Sequence, residues 1–185
     1  MNHLATSKED ILAASRDLIK ENGWAAVSIR AVASRCSVSA GTIYNYYESK
    51  ADLLSDTIES IWHEIFFHPE AEQVFHDVES CISWIYERLE YGNSQFPGFF
   101  SLHSFGFMRD EKTSGKKKMM QTWGHILNGL CEVLENDPKV RLDVFDKEFT
   151  EKKFADILFS LILVSMIRQD YDPSSVLMLV KKTLY

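Results

Sequence analysis

A cysteine framework is missing from this chain: Cys36, Cys81 and Cys131 are far apart, odd in number and form no Cys-x-x-Cys pair. That pattern argues against disulfide staples and suits a reducing compartment. Long apolar runs are missing too. The longest, residues 154–167, is interrupted by Asp156, Ser160 and Ser165 and is shorter than the roughly 18 to 20 residues a membrane span needs. The opening MNHLATSKED lacks the apolar stretch of a signal peptide. The protein is therefore expected in the cytoplasm, with no membrane partner.

Catalytic signatures are equally scarce. There is no glycine-rich phosphate loop and no Gly-x-Ser-x-Gly. HEIFFH, from His63 to His68, resembles a zinc-protease motif, but histidines five apart lie about 140° around a helix and cannot share one face. His76, Asp77 and Glu79 have no nucleophile or second ligand pair at a useful spacing. His103 and His125 read as packing or hydrogen-bonding groups, and KKKMM from Lys116 as a solvated loop and helix start. No enzyme, cofactor or metal reading survives.

Acid is also missing, but only locally. Across the whole chain acids outnumber Lys and Arg, for a formal charge of −7. Residues 1–50 instead carry six Lys/Arg (Lys8, Arg16, Lys20, Arg30, Arg35, Lys50) against five acids, a net of +1, and the remaining 135 residues carry −8. Between residues 28 and 47 there is no acid at all, where composition would place about three. A surface free of carboxylates is what a phosphate backbone requires.

What is present is helical periodicity from end to end, with 45% hydrophobic content, ample for a core at this length. Thr6 with Glu9 reads as a capping box opening a first helix, with Ile11, Ser15, Leu18 and Ile19 near one face. Gly23, followed by Trp24, suits a left-handed stop. Ser28 starts a second helix, flanked by the staple pair Val27 and Val32, and Ile29, Val32, Ala33 and Cys36 make its buried stripe. Ser39 repeats the device, with Val38 and Ile43 as staple and Ile43 and Tyr47 buried. Ser49 with Asp52 opens a longer helix through Leu53, Leu54, Ile58, Ile61 and Trp62. Two short capped helices in succession, flanked by longer ones, read as a helix-turn-helix.

In such a unit the second short helix enters the major groove with its first residues against base edges. Ala40 and Gly41 let the backbone approach, and Thr42, Tyr44, Asn45 and Tyr46 supply polar groups outward. Backbone N–H groups after Ser28 and Ser39 attract phosphate oxygens. Arg30 and Lys50 add charge at the two edges.

Residues 11–62, and above all the stretch GWAAVSIRAVASRCSVSAGTIYNYYESKADLL at 23–54, resemble the DNA-binding region of TetR-family transcriptional regulators. The resemblance rests on Gly23, Trp24, Ser28, Ile29, Val32, Ala33, Val38, Ser39, Gly41, Thr42, Ile43, Tyr44, Tyr46, Ser49, Lys50 and Leu53. Two departures are Ser37, where glycine often ends the first short helix, and Tyr47, where phenylalanine is usual. The resemblance implies that Ile29, Arg30, Ala40, Gly41, Thr42, Tyr44, Asn45, Tyr46 and Lys50 face DNA. Tyr44, Tyr46 and Lys50 then fall on phosphates, and Asn45 and Arg30 on bases.

Further helical segments are read at 50–67, 69–91, 97–110, 116–136, 147–170 and 173–184, with Asp172 capping the last and Pro173 at its first position. No strand-like alternation or repeat occurs. The fold class is therefore all-α, with a DNA-binding region over residues 1–50 and a helical effector-binding and dimerisation region over 51–185. Residues 154–167 are apolar nearly all round, so they need cover on two sides. The family implies a homodimer through the last two helices, with Phe159, Ile162, Met166, Val176, Leu177 and Val180 as members. A wholly intramolecular core is the alternative.

Aromatic and Met excess marks Trp62, Phe66, Trp84, Phe99, Phe100, His103, Phe107, Met120 and Trp123 as pocket candidates for a bulky, largely apolar effector. The function implied is a repressor that binds a palindromic operator as a homodimer and is released by that effector. The rival is a protein-interaction adaptor of the same fold without effector-controlled DNA binding.

Overall fold

Caps decide where the helices begin. In this computed structural model, which describes residues 6–66, 75–100 and 114–185, Ser7 opens α1 (Lys8–Asn22). Its hydroxyl accepts the Asp10 N–H at 3.1 Å, and its own N–H donates to the Asp10 carboxylate at 2.9 Å. The capping box thus lies one residue beyond the expected Thr6 and Glu9. Thr6 is buried, and its carbonyl accepts from the Tyr46 hydroxyl at 2.7 Å. Gly23 ends α1 with φ 74° and ψ 177°. This is not the left-handed helical stop expected but an extended geometry that glycine alone takes without strain. A single 3-10 turn, Trp24–Ala26, comes next.

The two short helices start where the hydroxyls predict. Ser28 Oγ accepts the Ala31 N–H at 3.1 Å and opens α2 (Ile29–Arg35). Ser39 Oγ accepts the Thr42 N–H at 3.2 Å and opens α3 (Ala40–Tyr44). Between them Ser37 has φ 56°. Its N–H reaches the Ser34 carbonyl at 3.1 Å and the Val38 N–H reaches Ala33 at 2.9 Å, the paired bonds of a left-handed helix stop. A non-glycine side chain there carries a strain of about 1 kcal/mol. Ser49 and Asp52 then open α4 (Lys50–Phe66), with the Asp52 N–H on Ser49 Oγ at 3.2 Å.

These four helices share one core. α1 packs on α2 and α4, and α2 on α3, around Ile11, Ile19, Val32, Ile43, Tyr47 and Leu53. Each such buried aliphatic side chain contributes about 1.5–3 kcal/mol. Helices α1–α3 form the head of the molecule, and the later helices form its body.

The body comprises α4, α5 (Val78–Gln95), α6 (Ser114–Asn136), α7 (Glu151–Arg168) and α8 (Ser174–Leu184). α4 packs on α5 and α6, α5 on α6 and α8, and α6 on α7. At Gly92 a β-carbon would stand 2.6 Å from Ile65 Cδ1, so α5 approaches α4 there more closely than any other residue permits. α5 starts later than the sequence suggests, because Asp77, not proline, caps it: Asp77 Oδ1 accepts the Ser80 N–H at 2.8 Å. α7 also starts later, after Thr150, whose hydroxyl accepts from the Lys153 N–H. Asp172 caps α8 through the Ser174 N–H at 3.0 Å, with Pro173 already in helical geometry. Most of the segment expected at 97–110 lies outside the described residues.

A buried carboxylate closes one end of the body. Asp137 accepts from the Val78 N–H at 2.9 Å and from the Tyr185 hydroxyl, joining the start of α5, the end of α6 and the residue after α8. Beside it, Lys139 bonds Asp77 at 2.7 Å. That bond, with those from Ser80 behind it, holds the Asp77 carboxyl down to about 2.

The expected dimer residues divide once packing is known. Ile162, Met166, Val176 and Val180 are buried within the single chain and have no surface left for a partner; Phe159 and Leu177 are half-buried. The exposed apolar side chains on these helices are Ile157, Val164 and Ile167 of α7 and Met178 and Leu179 of α8. Because α7 is apolar nearly all round, its sequence does not reveal which stripe faces the core.

Candidate functional site

The head presents one polar face. Arg30, Ser39, Gly41, Tyr44, Asn45 and Lys50 are exposed, and Ser28, Ala40, Thr42 and Tyr46 are half-buried. Tyr44 stands out with 56% of its surface exposed, far more than a ring with an apolar partner would keep. Ile29 is different: at 8% exposure its side chain belongs to the core, so only its backbone can serve a ligand. Tyr46 has a structural role the sequence did not suggest, since its hydroxyl pins the chain just after α3 to Thr6, ahead of α1. Tyr47 is buried and its hydroxyl has no partner among the described residues; burial pushes that phenol's pKa well up.

Electrostatics sorts the six cations of residues 1–50. Lys8 pairs with Asp56 at 2.6 Å, Arg16 with Glu64 at 3.0 Å, Lys20 with the same Glu64 at 2.6 Å, and Arg35 with Glu21. The Arg35 bond lowers the Glu21 pKa. Pairs of this kind near the surface add little stability, but Arg16 also reaches Glu9 at 3.3 Å, so each of the four cations faces a separate acid. Among the described residues Arg30 and Lys50 alone of the six make no ion pair. They are the first charged side chains of α2 and α4, the helices on either side of α3 in the chain.

The body holds a cavity of about 490 Å³ between the end of α4, α5 and α6. Its wall includes Phe66, Phe75, Trp84, Ile85, Ile126, Leu130 and Val133, with Cys81 at the side and His125, Glu132 and Asn136 bringing the polar groups. Of the nine pocket candidates from sequence, only Phe66 and Trp84 line it. Trp62, Phe99 and Phe100 are buried core, Met120 is 55% exposed, and Trp123 packs edge-on against Phe159. His103 and Phe107 lie outside the described residues. Composition favoured aromatics, whereas the cavity sets Phe66, Phe75 and Trp84 against one stripe of α6 that carries Ile126, Leu130 and Val133. The readable signal was Gly129 in mid-helix among Ile126, Leu130 and Val133. Cys81 is no nucleophile here, because burial raises its thiol to about 12.

Cavity and head are joined by rings in contact. Phe75 meets Trp84 at 5.3 Å between centroids, Trp84 meets Phe66 at 5.9 Å, Phe66 meets Trp62 at 5.5 Å, Trp62 meets Phe99 at 5.4 Å and Phe99 stacks on Trp24 at 5.7 Å. Trp24 lies directly after α1. The rings thus form one continuous chain of contacts from the cavity wall to Trp24.

No helix among the described residues is long and apolar enough to cross a membrane, and none of their His, Cys, Asp and Glu side chains cluster as a metal site. Helix order, caps and the exposed face of α3 define a helix-turn-helix protein with a helical body. Residues 11–57 match the family described as bacterial regulatory proteins, tetR family, a match that covers about a quarter of the chain. The HTH-type transcriptional regulator UidR of Escherichia coli K12 is 38% identical over 48 residues, 26% of this chain and 24% of that one. The match thus spans about a quarter of the curated relative's length. In fold, the transcriptional regulator FadR of Bacillus subtilis, solved with stearoyl-CoA, aligns at TM-score 0.67 and 17% identity over 97% of this chain and 100% of its own. A TetR transcription regulator of Haloarcula marismortui aligns at 0.66 and 17% identity over 96% and 95%.

Proposed function

We propose that this chain is a DNA-binding transcriptional regulator working as a homodimer on a palindromic operator, with DNA binding controlled by a small molecule in the body cavity. The observation that carries the reading is the selective pairing of the head's cations. Four are cancelled by acids, and the two left open, Arg30 and Lys50, flank the exposed hydroxyl, amide and phenol groups of α3. Phosphates are held by such charges and hydroxyls, and base edges by Asn45 and Arg30. Residues 1–50 form the reading unit in this scheme and residues 51–185 the sensing and pairing unit.

A second copy covers the stripe of Ile157, Val164, Ile167, Met178 and Leu179, which is exposed in the single chain. Twofold pairing sets two heads about 34–36 Å apart, one turn of DNA. A ligand that moves Phe66 or Trp84 shifts Trp62 on α4 and, through Phe99, Trp24 beside α1, and so changes the separation of the heads. Ligand and operator affinities are then linked reciprocally. The Bacillus subtilis structure holds stearoyl-CoA, an anionic ligand; an anion of that kind would meet no Lys or Arg among the described residues lining this cavity.

The reading is tested by selecting genomic fragments on the purified protein and following affinity across salt. Enrichment of a palindrome, with binding that weakens steeply as salt rises, is expected. A folded dimer that enriches no site at low salt removes the regulator and leaves the adaptor.

A further inference from the structure

The lining of the cavity specifies more than an apolar ligand. Its charged lining group among the described residues is a carboxylate, Glu132, which is exposed and makes no ion pair among those residues. The wall also carries the rings of Trp84, Phe66 and Phe75, with the Trp84 ring 5.3 Å from Phe75 and 5.9 Å from Phe66. The negative faces of aromatic rings attract cations, and desolvation in an apolar cleft strengthens that attraction. An anion would face the carboxylate instead.

Gly129 bears on the shape of that space. It lies inside α6 and lines the cavity, and a β-carbon placed there would touch nothing within 4 Å. Glycine in a helix interior costs about 1 kcal/mol relative to alanine, and among the described residues no neighbouring group packs against that position. The missing side chain keeps the floor of the cavity open. His125 and Asn136 lie on the same stripe of α6 as Gly129 and Glu132, and bring hydrogen-bonding groups to the lining.

We propose that the cavity binds a lipophilic cation, a bulky aromatic or aliphatic onium or amine whose apolar body lies against Trp84, Phe66 and Leu130 and whose charge is met by Glu132. This deepens the ligand-responsive reading and depends on it only for what happens at the operator.

The test uses a pair of probes matched in size and opposite in charge, tetraphenylphosphonium and tetraphenylborate, titrated calorimetrically into the full chain without DNA. The expected result is binding of the phosphonium and at least about tenfold weaker binding of the borate. Glu132→Gln, a change on an exposed side chain, should weaken the phosphonium about fivefold with an unchanged helical circular dichroism signal. Gly129→Leu should abolish binding by filling the floor, in a variant whose melting temperature is not lowered. Equal or tighter borate binding, no binding of either probe, or unaltered phosphonium affinity in Glu132→Gln overturns the proposal. The same titration repeated with operator present separates the two readings. Phosphonium binding without any change in operator affinity upholds the cation site while sinking effector control.

Discussion

Head and body obey different rules. In α2 and α3, each turn or two of helix is bounded by a hydroxyl cap, Ser28 or Ser39, and a single apolar stripe, so local chemistry determines both the start of the helix and the face it buries. In α7 neither holds: the helix is apolar nearly all round, and only its packing decides that Ile162 points inward and Val164 outward. An exposed polar surface is thus written in residue types, whereas an exposed apolar one is written in packing.

The largest effects should come from testing that division within α7. Ile162→Ala, at 2% exposure, should destabilise the fold by about 2–4 kcal/mol in urea unfolding. Val164→Asp two positions on should leave the unfolded fraction of the monomer nearly unchanged and instead lower the dimer mass in analytical ultracentrifugation. Equal destabilisation by both would break the distinction between inner and outer stripes.

In the head, Arg30→Ala and Lys50→Ala should each weaken operator binding about tenfold and reduce its salt slope by about 1. Melting temperature should stay unaltered, because neither side chain has an ion pair among the described residues to lose. Arg35→Ala, whose charge is already cancelled by Glu21, should have a smaller effect on binding. If Arg35 mattered as much as Lys50, cancellation by acids would not be what sorts the head's cations. Between the regions, Trp24→Leu should retain cavity binding by calorimetry but reduce the ligand's effect on operator affinity severalfold.

Smaller shifts sharpen the same contrast. Tyr47→Phe removes a buried hydroxyl without a partner among the described residues and should stabilise by about 1 kcal/mol, read as a rise in melting temperature. Asp77, capping α5 and bonded to Lys139, has its carboxyl held near 2 against an ordinary 3.8. Its contribution is complete above about pH 4 and is lost as acid carries the pH down through 2. Asp77→Asn should flatten stability over that window and leave the pH dependence above it unchanged; an unchanged acid limb would contradict the role assigned to Lys139.

Legibility runs along the same line. Ser28, Ser39, Ser49 and Asp172 were readable as helix starts because a cap is satisfied within three residues of itself. Thr6 misled by one position because Thr6 and Ser7 offer the same hydroxyl, and only the burial of Thr6 and its bond from Tyr46 separate them. The left-handed turn at Ser37 was visible as a departure from glycine. The cavity was visible only in part, through Phe66 and Trp84, since the stripe of Ile126, Leu130 and Val133 that completes it is brought there by the packing of α4 and α5 on α6.

Residue order was enough to establish an all-α fold class, two capped short helices and an acid-free stretch carrying Arg30, Tyr44 and Asn45, because those properties depend on neighbours a few positions away. Folding in three dimensions was needed to settle which cations are cancelled, which apolar stripe of α7 stays in the open and where the body leaves a cavity. Those outcomes depend on groups far apart in the chain, such as Lys20 with Glu64 and Phe99 with Trp24, that meet only when the long helices pack.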